Sequence, residues 1–213
     1  MKATVHIATF SALVALGLAP APTAAAAVSG DQAKEVMAKI EAVRDGSAKI
    51  RNQVGLTLEE LNRLQVASIE LRPQFEKFTA ELAKMEEQAR VARERAANMS
   101  ERGQAFFKAW EDQINTIANE DIRNDAKKRY DKRIKSYNKI THAMVEARDD
   151  LNPFLSDLND IKKLLDSELT RDSVKAAKQS IKQANYHGSD VTDSLKDVES
   201  ELDRVSAELA KYK

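Results

Sequence analysis

Between Arg171 and Tyr212, the residues Val174, Ala177, Ile181, Ala184, Gly188, Val191, Leu195, Val198, Leu202, Val205, Leu209 and Tyr212 recur at alternating steps of three and four. That spacing keeps one narrow stripe of a helix against a partner. A helix of this length is about 60 Å long. It is too long to cover its stripe against a compact ball, so its partners must be helices of similar length.

Three earlier segments carry the same alternation. The first runs through Val36, Ile40, Val43, Ser47, Ile50, Val54, Thr57, Leu61, Leu64, Ser68 and Leu71; the second through Phe75, Phe78, Leu82, Met85, Ala89, Ala92, Ala96, Met99, Gly103, Phe106 and Trp110. The third carries Ile134, Tyr137, Ile140, Met144, Ala147, Leu151, Phe154, Leu158, Ile161 and Leu165. Glycine, proline and aromatic residues are few, as in long helices and coiled coils. The expected fold is all-α: an elongated antiparallel helical bundle or coiled coil of three to four long helices, forming a single domain over residues 28–213.

Punctuation marks the joints. Gly46 and Gly55 weaken the first helix by about 1 kcal/mol each relative to alanine, and Thr57 with Glu60 has capping-box spacing, which makes a break near Gly55 an alternative. Pro73 disfavours helical geometry at Arg72, so a turn is expected at 71–73. The second helix should end near Ala118. Asn119 then serves as a cap, with Glu120 and Asp121 in the first turn where the macrodipole favours acids. Pro153 lies inside the third stripe without disturbing its phase, which predicts a kink rather than an end. Thr170 caps the last helix. Short connections between long helices imply antiparallel neighbours.

The start of the chain reads as a secretory signal. Met1 and Lys2 give a positive beginning, Ile7 to Ala19 is apolar, Pro20 and Pro22 break the run, and Ala24 to Ala27 supplies the small residues of a cut after Ala26 or Ala27. The apolar run falls short of the roughly 20 residues that a membrane span needs. A periplasmic or secreted bacterial protein is the expectation, with residues 1–27 removed. An exported chain without cysteine takes its stability from packing, with no disulfide framework.

Charge adds a test of pairing. A hairpin turning near Asn119 sets Arg93 against Glu146, Arg90 against Asp149, Lys108 against Asp131 and Glu111 against Lys128. A hairpin turning near Glu168 sets Asp157 near Lys178, Asp160 near Lys175, Lys139 near Asp197, Lys135 near Glu201, Arg133 near Asp203 and Lys128 near Glu208, with Lys132 against Arg204 as a mismatch. Each exposed pair contributes only about 0 to 1 kcal/mol, so the pattern speaks for orientation. The first helix shows no comparable match.

This arrangement bears on the most conspicuous cluster. Lys127, Lys128, Arg129, Lys132, Arg133, Lys135 and Lys139 are interleaved with Tyr130 and Tyr137, a pattern that in isolation points to an anionic lipid, polysaccharide or nucleic acid. The acidic run Asp193, Asp197, Glu199, Glu201 and Asp203 is expected to lie beside it and neutralise it. Failing that, Lys127, Lys128, Arg129 and Lys132 are the candidate contacts for an anionic envelope surface.

Phe106, Phe107 and Trp110 form the densest aromatic group, with Tyr130, Tyr137 and Tyr212 toward the same end. End-packing accounts for this group, but Phe107 falls outside the stripe that takes Phe106 and Trp110, which makes Phe107 and Trp110 the candidate partner contacts as the alternative. Pro73 and Pro153 raise a related possibility, hinges at which the bundle opens to lay amphipathic helices on lipid.

Catalytic signatures are sparse. His142 and His187 have no carboxylate three residues before them, so the Glu-x-x-His pairs of di-iron bundles are absent, and His142 with Glu146 makes a poor metal site by itself. Asp157 to Glu168 lacks the central glycine of a calcium loop. No glycine-rich phosphate loop, Gly-x-Ser-x-Gly turn or thiol occurs. The expectation is a non-enzyme with no cofactor, no metal and no small-molecule substrate. With 34 basic and 34 acidic residues, no basic excess argues for nucleic acid.

Phe106-Phe107-Lys108-Ala109-Trp110-Glu111, the start Asn119 to Arg123, the segment Leu151 to Thr170 with Asn152-Pro153-Phe154-Leu155-Ser156-Asp157-Leu158, and Glu201-Leu202-Asp203-Arg204-Val205 resemble an exported bacterial helical family catalogued as domain of unknown function 2959. The resemblance covers nearly all of the mature chain. It implies an envelope location and a coiled-coil character, and brings no catalytic or binding residues. The functional expectation is an interaction or structural module in the cell envelope, with self-association or a protein partner. The alternative is a binder of lipid or another anionic envelope component through amphipathic faces.

Overall fold

A computed structural model describes residues 30–210. The expected signal segment and Tyr212 lie outside the described residues. Among those described, the chain is a helical bundle without strands: α1 (Gly30–Arg63), α2 (Leu71–Asn115), α3 (Glu120–Ser167), α4 (Arg171–Ala176) and α5 (Lys178–Ala210).

The joints follow local chemistry. α1 passes through Gly46 and Gly55 without a break, and Thr57 does not cap: its hydroxyl donates to the Gln53 carbonyl one turn back at 2.8 Å. The turn lies at residues 64–70 rather than 71–73. Pro73 sits in the first turn of α2, where its missing N–H has no intrahelical acceptor to lose. α2 stops at Asn115. Asn119 caps α3, its side-chain oxygen accepting from the Ile122 N–H at 3.1 Å. Pro153 is inside α3. Thr170 caps α4 by accepting from the Ser173 N–H at 3.1 Å. Ala177 separates α4 from α5 by one residue, yet the Ala177 N–H reaches the Ser173 carbonyl and the Ile181 N–H reaches the Ala177 carbonyl. The stripe therefore passes through in phase, with Val174, Ala177 and Ile181 all buried.

The helices divide into two compact units. One comprises Gly46–Arg93 and Ala143–Glu199; the other comprises Glu94–His142 with the described residues up to Asp45 and from Ser200 onward.

In the unit built from Gly46–Arg93 and Ala143–Glu199, Leu61, Phe78, Leu82, Met85, Phe154, Leu158, Ile161 and Leu165 are almost fully buried. Burying a side chain of this kind contributes about 1.5 to 3 kcal/mol. α1 meets α2 through Gln53 Nε2, which donates to the Glu81 carboxylate at 2.7 Å, and through Gln74 Nε2, which donates to the Glu60 carboxylate at 2.7 Å. α1 also meets α5: Asn62 and Asn185 exchange amide hydrogen bonds at 2.9 and 3.0 Å. α2 meets α3 where Arg93 donates to Asn152 at 2.6 Å and Asn159 to Glu86 at 2.8 Å. In these pairings residue numbers fall along one helix as they rise along its neighbour. Arg171 closes the end, its guanidinium donating to the carbonyls of Leu64, Val66 and Ile69 in the α1–α2 turn.

α3 and α5 meet in this unit, but not in the charge-matched register. Asp157 faces His187 at 2.8 Å instead of Lys178, and Asp150 faces Ser194. Asp160 takes Lys163, and Lys175 takes Asp172. The slip exceeds two helical turns. Its cause lies in the seam: Phe154 packs against Gly188, where an added Cβ would come within 3.1 Å of the ring. Burying a phenylalanine outweighs several exposed ion pairs at about 0 to 1 kcal/mol each.

In the other unit, Phe107, Ile114, Ala126, Tyr130, Tyr137, Ile140, Leu202 and Val205 are buried. Phe107 lies 5.0 Å from Tyr137 and 5.8 Å from Tyr130, centroid to centroid. Gly103 lets the Tyr137 ring lie against α2, and the Tyr137 hydroxyl donates to the Ser100 carbonyl at 3.2 Å.

Candidate functional site

The aromatic group is core. Phe107 is only 7% exposed, as end-packing expects and against the alternative of an exposed contact, while Phe106 and Trp110 are half-buried. The stripe takes a step of four from Gly103 to Phe107, one residue out of the expected phase, and this turns Phe107 inward against Tyr130 and Tyr137. Trp110 lies 5.5 Å from Tyr130 in an edge-to-face contact. Burial pushes the phenols of Tyr130 and Tyr137 above the usual tyrosine range, and the Glu111 and Asp131 carboxylates add to the effect at Tyr130.

The basic run is organised by the same packing. Ala126, Tyr130 and Tyr137 point into the unit, so Lys128, Lys132, Lys135 and Lys139, spaced by four, three and four, fall on the opposite side of α3 and are exposed. Four of the five acids expected beside them are engaged elsewhere. Asp203 pairs with Arg44, Glu201 with Arg204 at 2.8 Å, Glu199 with Arg51 at 3.2 Å, and Asp193 with Lys196 at 2.8 Å. Expected pairs of the first hairpin are replaced within their own helices: Lys108 meets Asp112 at 3.8 Å and Lys128 meets Asp125 at 3.5 Å. Among the described residues, Lys127, Arg129, Lys135 and Lys139 make no ion pair. Glu201 and Asp203 thus pair with arginines of α5 and α1, and packing aims the stripe of lysines away from any helix seated on the core side.

His187 is held between Asp157 on Nδ1 and the Gln183 amide at 3.1 Å on Nε2. With the amide donating to Nε2, Nδ1 carries the proton and donates to the carboxylate. His142 is exposed. Among the described residues no group of three His, Cys, Asp or Glu side chains is placed to hold a metal. A shallow cleft of ≈ 370 Å³ beside the α1–α2 turn is lined by Gln65, Lys175, Lys178, Gln179 and Lys182 around Ile181. Among the described residues no helix is long and apolar enough to cross a membrane.

Sequence reasoning placed the lysines correctly along α3 but missed Arg44 and Arg51, the arginines that take α5's acids. Neither lies in a charge run, so no sequence signal marked them.

No curated protein and no solved structure matches the chain. A family described as "Protein of unknown function (DUF2959)" matches residues 24–210, nearly the whole of it. The chain belongs to the DUF2959 family.

Proposed function

We propose that this is a non-enzymatic, exported helical-bundle protein that acts as an interaction or structural module in the cell envelope, its long helices forming an elongated antiparallel bundle. The observation that carries the reading is that the chain's chemistry is organised by helix faces. Apolar and aromatic side chains fill the seams, while His187, Asp157 and the buried amides are already engaged with one another. Such a protein works through its outer surfaces. Light scattering of the mature chain with and without vesicles tests this. A fixed oligomer that ignores lipid supports the module, and a monomer at every concentration with no partner recovered from envelope fractions counts against it. A second reading, binding of lipid or another anionic envelope component, is favoured by the exposed lysines of α3.

A further inference from the structure

We infer that the outer face of α3 centred on Lys128, Lys135 and Lys139, flanked by Lys127 and Arg129, docks on the phosphate headgroups of an anionic lipid surface. The inference rests on the second reading above and narrows it to one face and one partner. Three observations carry it. Lys128, Lys132, Lys135 and Lys139 form a single outward stripe about 16 Å long, with all four side chains exposed. A straight stripe on a convex helix presents its cations together to a plane, whereas a small molecule needs a concavity. Of the α5 acids that sequence pairing would place here, Asp203 is held by Arg44 and Glu201 by Arg204.

The third observation selects among anionic partners. Binders of single-stranded nucleic acid stack bases on aromatic rings beside their cations. Tyr130 and Tyr137, which interleave with these lysines in sequence, are about nine-tenths buried and face Phe107. What remains outside is a row of ammonium groups on flexible stems, suited to a layer of phosphates and not to base readout.

The test is co-sedimentation of the mature chain with phosphatidylglycerol–phosphatidylcholine vesicles at low salt and again near 1 M salt, alongside a single-stranded oligonucleotide. Each basic residue near an anionic leaflet strengthens partitioning about fivefold. The triple substitution K128Q/K135Q/K139Q should therefore weaken binding about a hundredfold, while K128R/K135R/K139R retains it. High salt should abolish it by screening. The replaced side chains are exposed, so unchanged helicity and Trp110 fluorescence will show that the variants remain folded. If wild type binds vesicles and the glutamine variant binds equally well, this face is wrong and the second reading survives on another surface. If wild type ignores vesicles at low salt, both fail. Tighter binding to the oligonucleotide than to vesicles overturns the choice of partner.

Discussion

Gly103→Ala tests the aromatic packing at one atom. In an open helical position this exchange stabilises by about 1 kcal/mol. At Gly103 the new Cβ falls well inside contact distance of the Tyr137 ring, with the hydroxyl, Cζ and Cε2 as its nearest neighbours. That ring cannot swing aside freely. It lies 5.0 Å from Phe107 and its hydroxyl donates to the Ser100 carbonyl at 3.2 Å. Moving it forfeits about 1 kcal/mol of hydrogen bond and about 0.5 to 1.5 kcal/mol of ring contact. Set against the propensity gain, the net loss is about 1 kcal/mol. Urea unfolding followed by Trp110 fluorescence reads it, because the chain's single tryptophan lies in the same cluster. In a Tyr137→Ala background the obstacle is gone, and Gly103→Ala should then stabilise by about 1 kcal/mol. A stabilised Gly103→Ala in the wild-type background, or the same loss in both, would refute the reasoning.

Gly55 has nothing within 4 Å of an added Cβ, so Gly55→Ala should stabilise by about 0.5 to 1 kcal/mol and raise the urea midpoint accordingly, while Gly188→Ala should lower it through contact with Leu58 and Phe154. Arg171→Ala leaves three carbonyls of the α1–α2 turn without their donor, at a cost of about 1.5 to 3 kcal/mol, and hydrogen exchange should quicken at residues 64–70. The phenols of Tyr130 and Tyr137 have raised pKa values in the folded chain, so the folded state holds their protons longer than the unfolded one. Their stabilisation is present below the ordinary tyrosine value and is lost as pH rises through the raised ones; an alkaline titration should show their tyrosinate absorbance appearing together with the loss of Trp110 packing.

The stripes were legible because burial follows a fixed period. Along α4 and α5, every member of the pattern from Val174 to Val205 is buried, including Gly188, and on α3 the run from Ala147 to Leu165 is buried as read. The caps at Asn119 and Thr170 were legible for an equally local reason: a short polar side chain reaches only the adjacent N–H groups. Register was not. It depends on which large side chain meets which gap, and Phe154 over Gly188 decides it across distant parts of the sequence. Charge matching is too weak and too repetitive to override that contact, and every turn of these helices offers another acid and another base. The same limit hid the place of α1, whose ties to α5 are an amide exchange at Asn62 and single arginines at 44 and 51. Phe107 was misread because one step of four in place of three moves a residue by about 100° around a helix, enough to exchange outside for inside.

Cysteine pairs test the slipped register of α3 against α5 in a chain that has no cysteine of its own. Asp150 and Ser194 are short side chains in hydrogen-bond contact, so D150C/S194C should close a disulfide under mild oxidation without loss of helicity. D150C/Y186C, the pair that the charge-matched register would bring together, should keep two free thiols. Closure of the second pair and not the first would contradict the account.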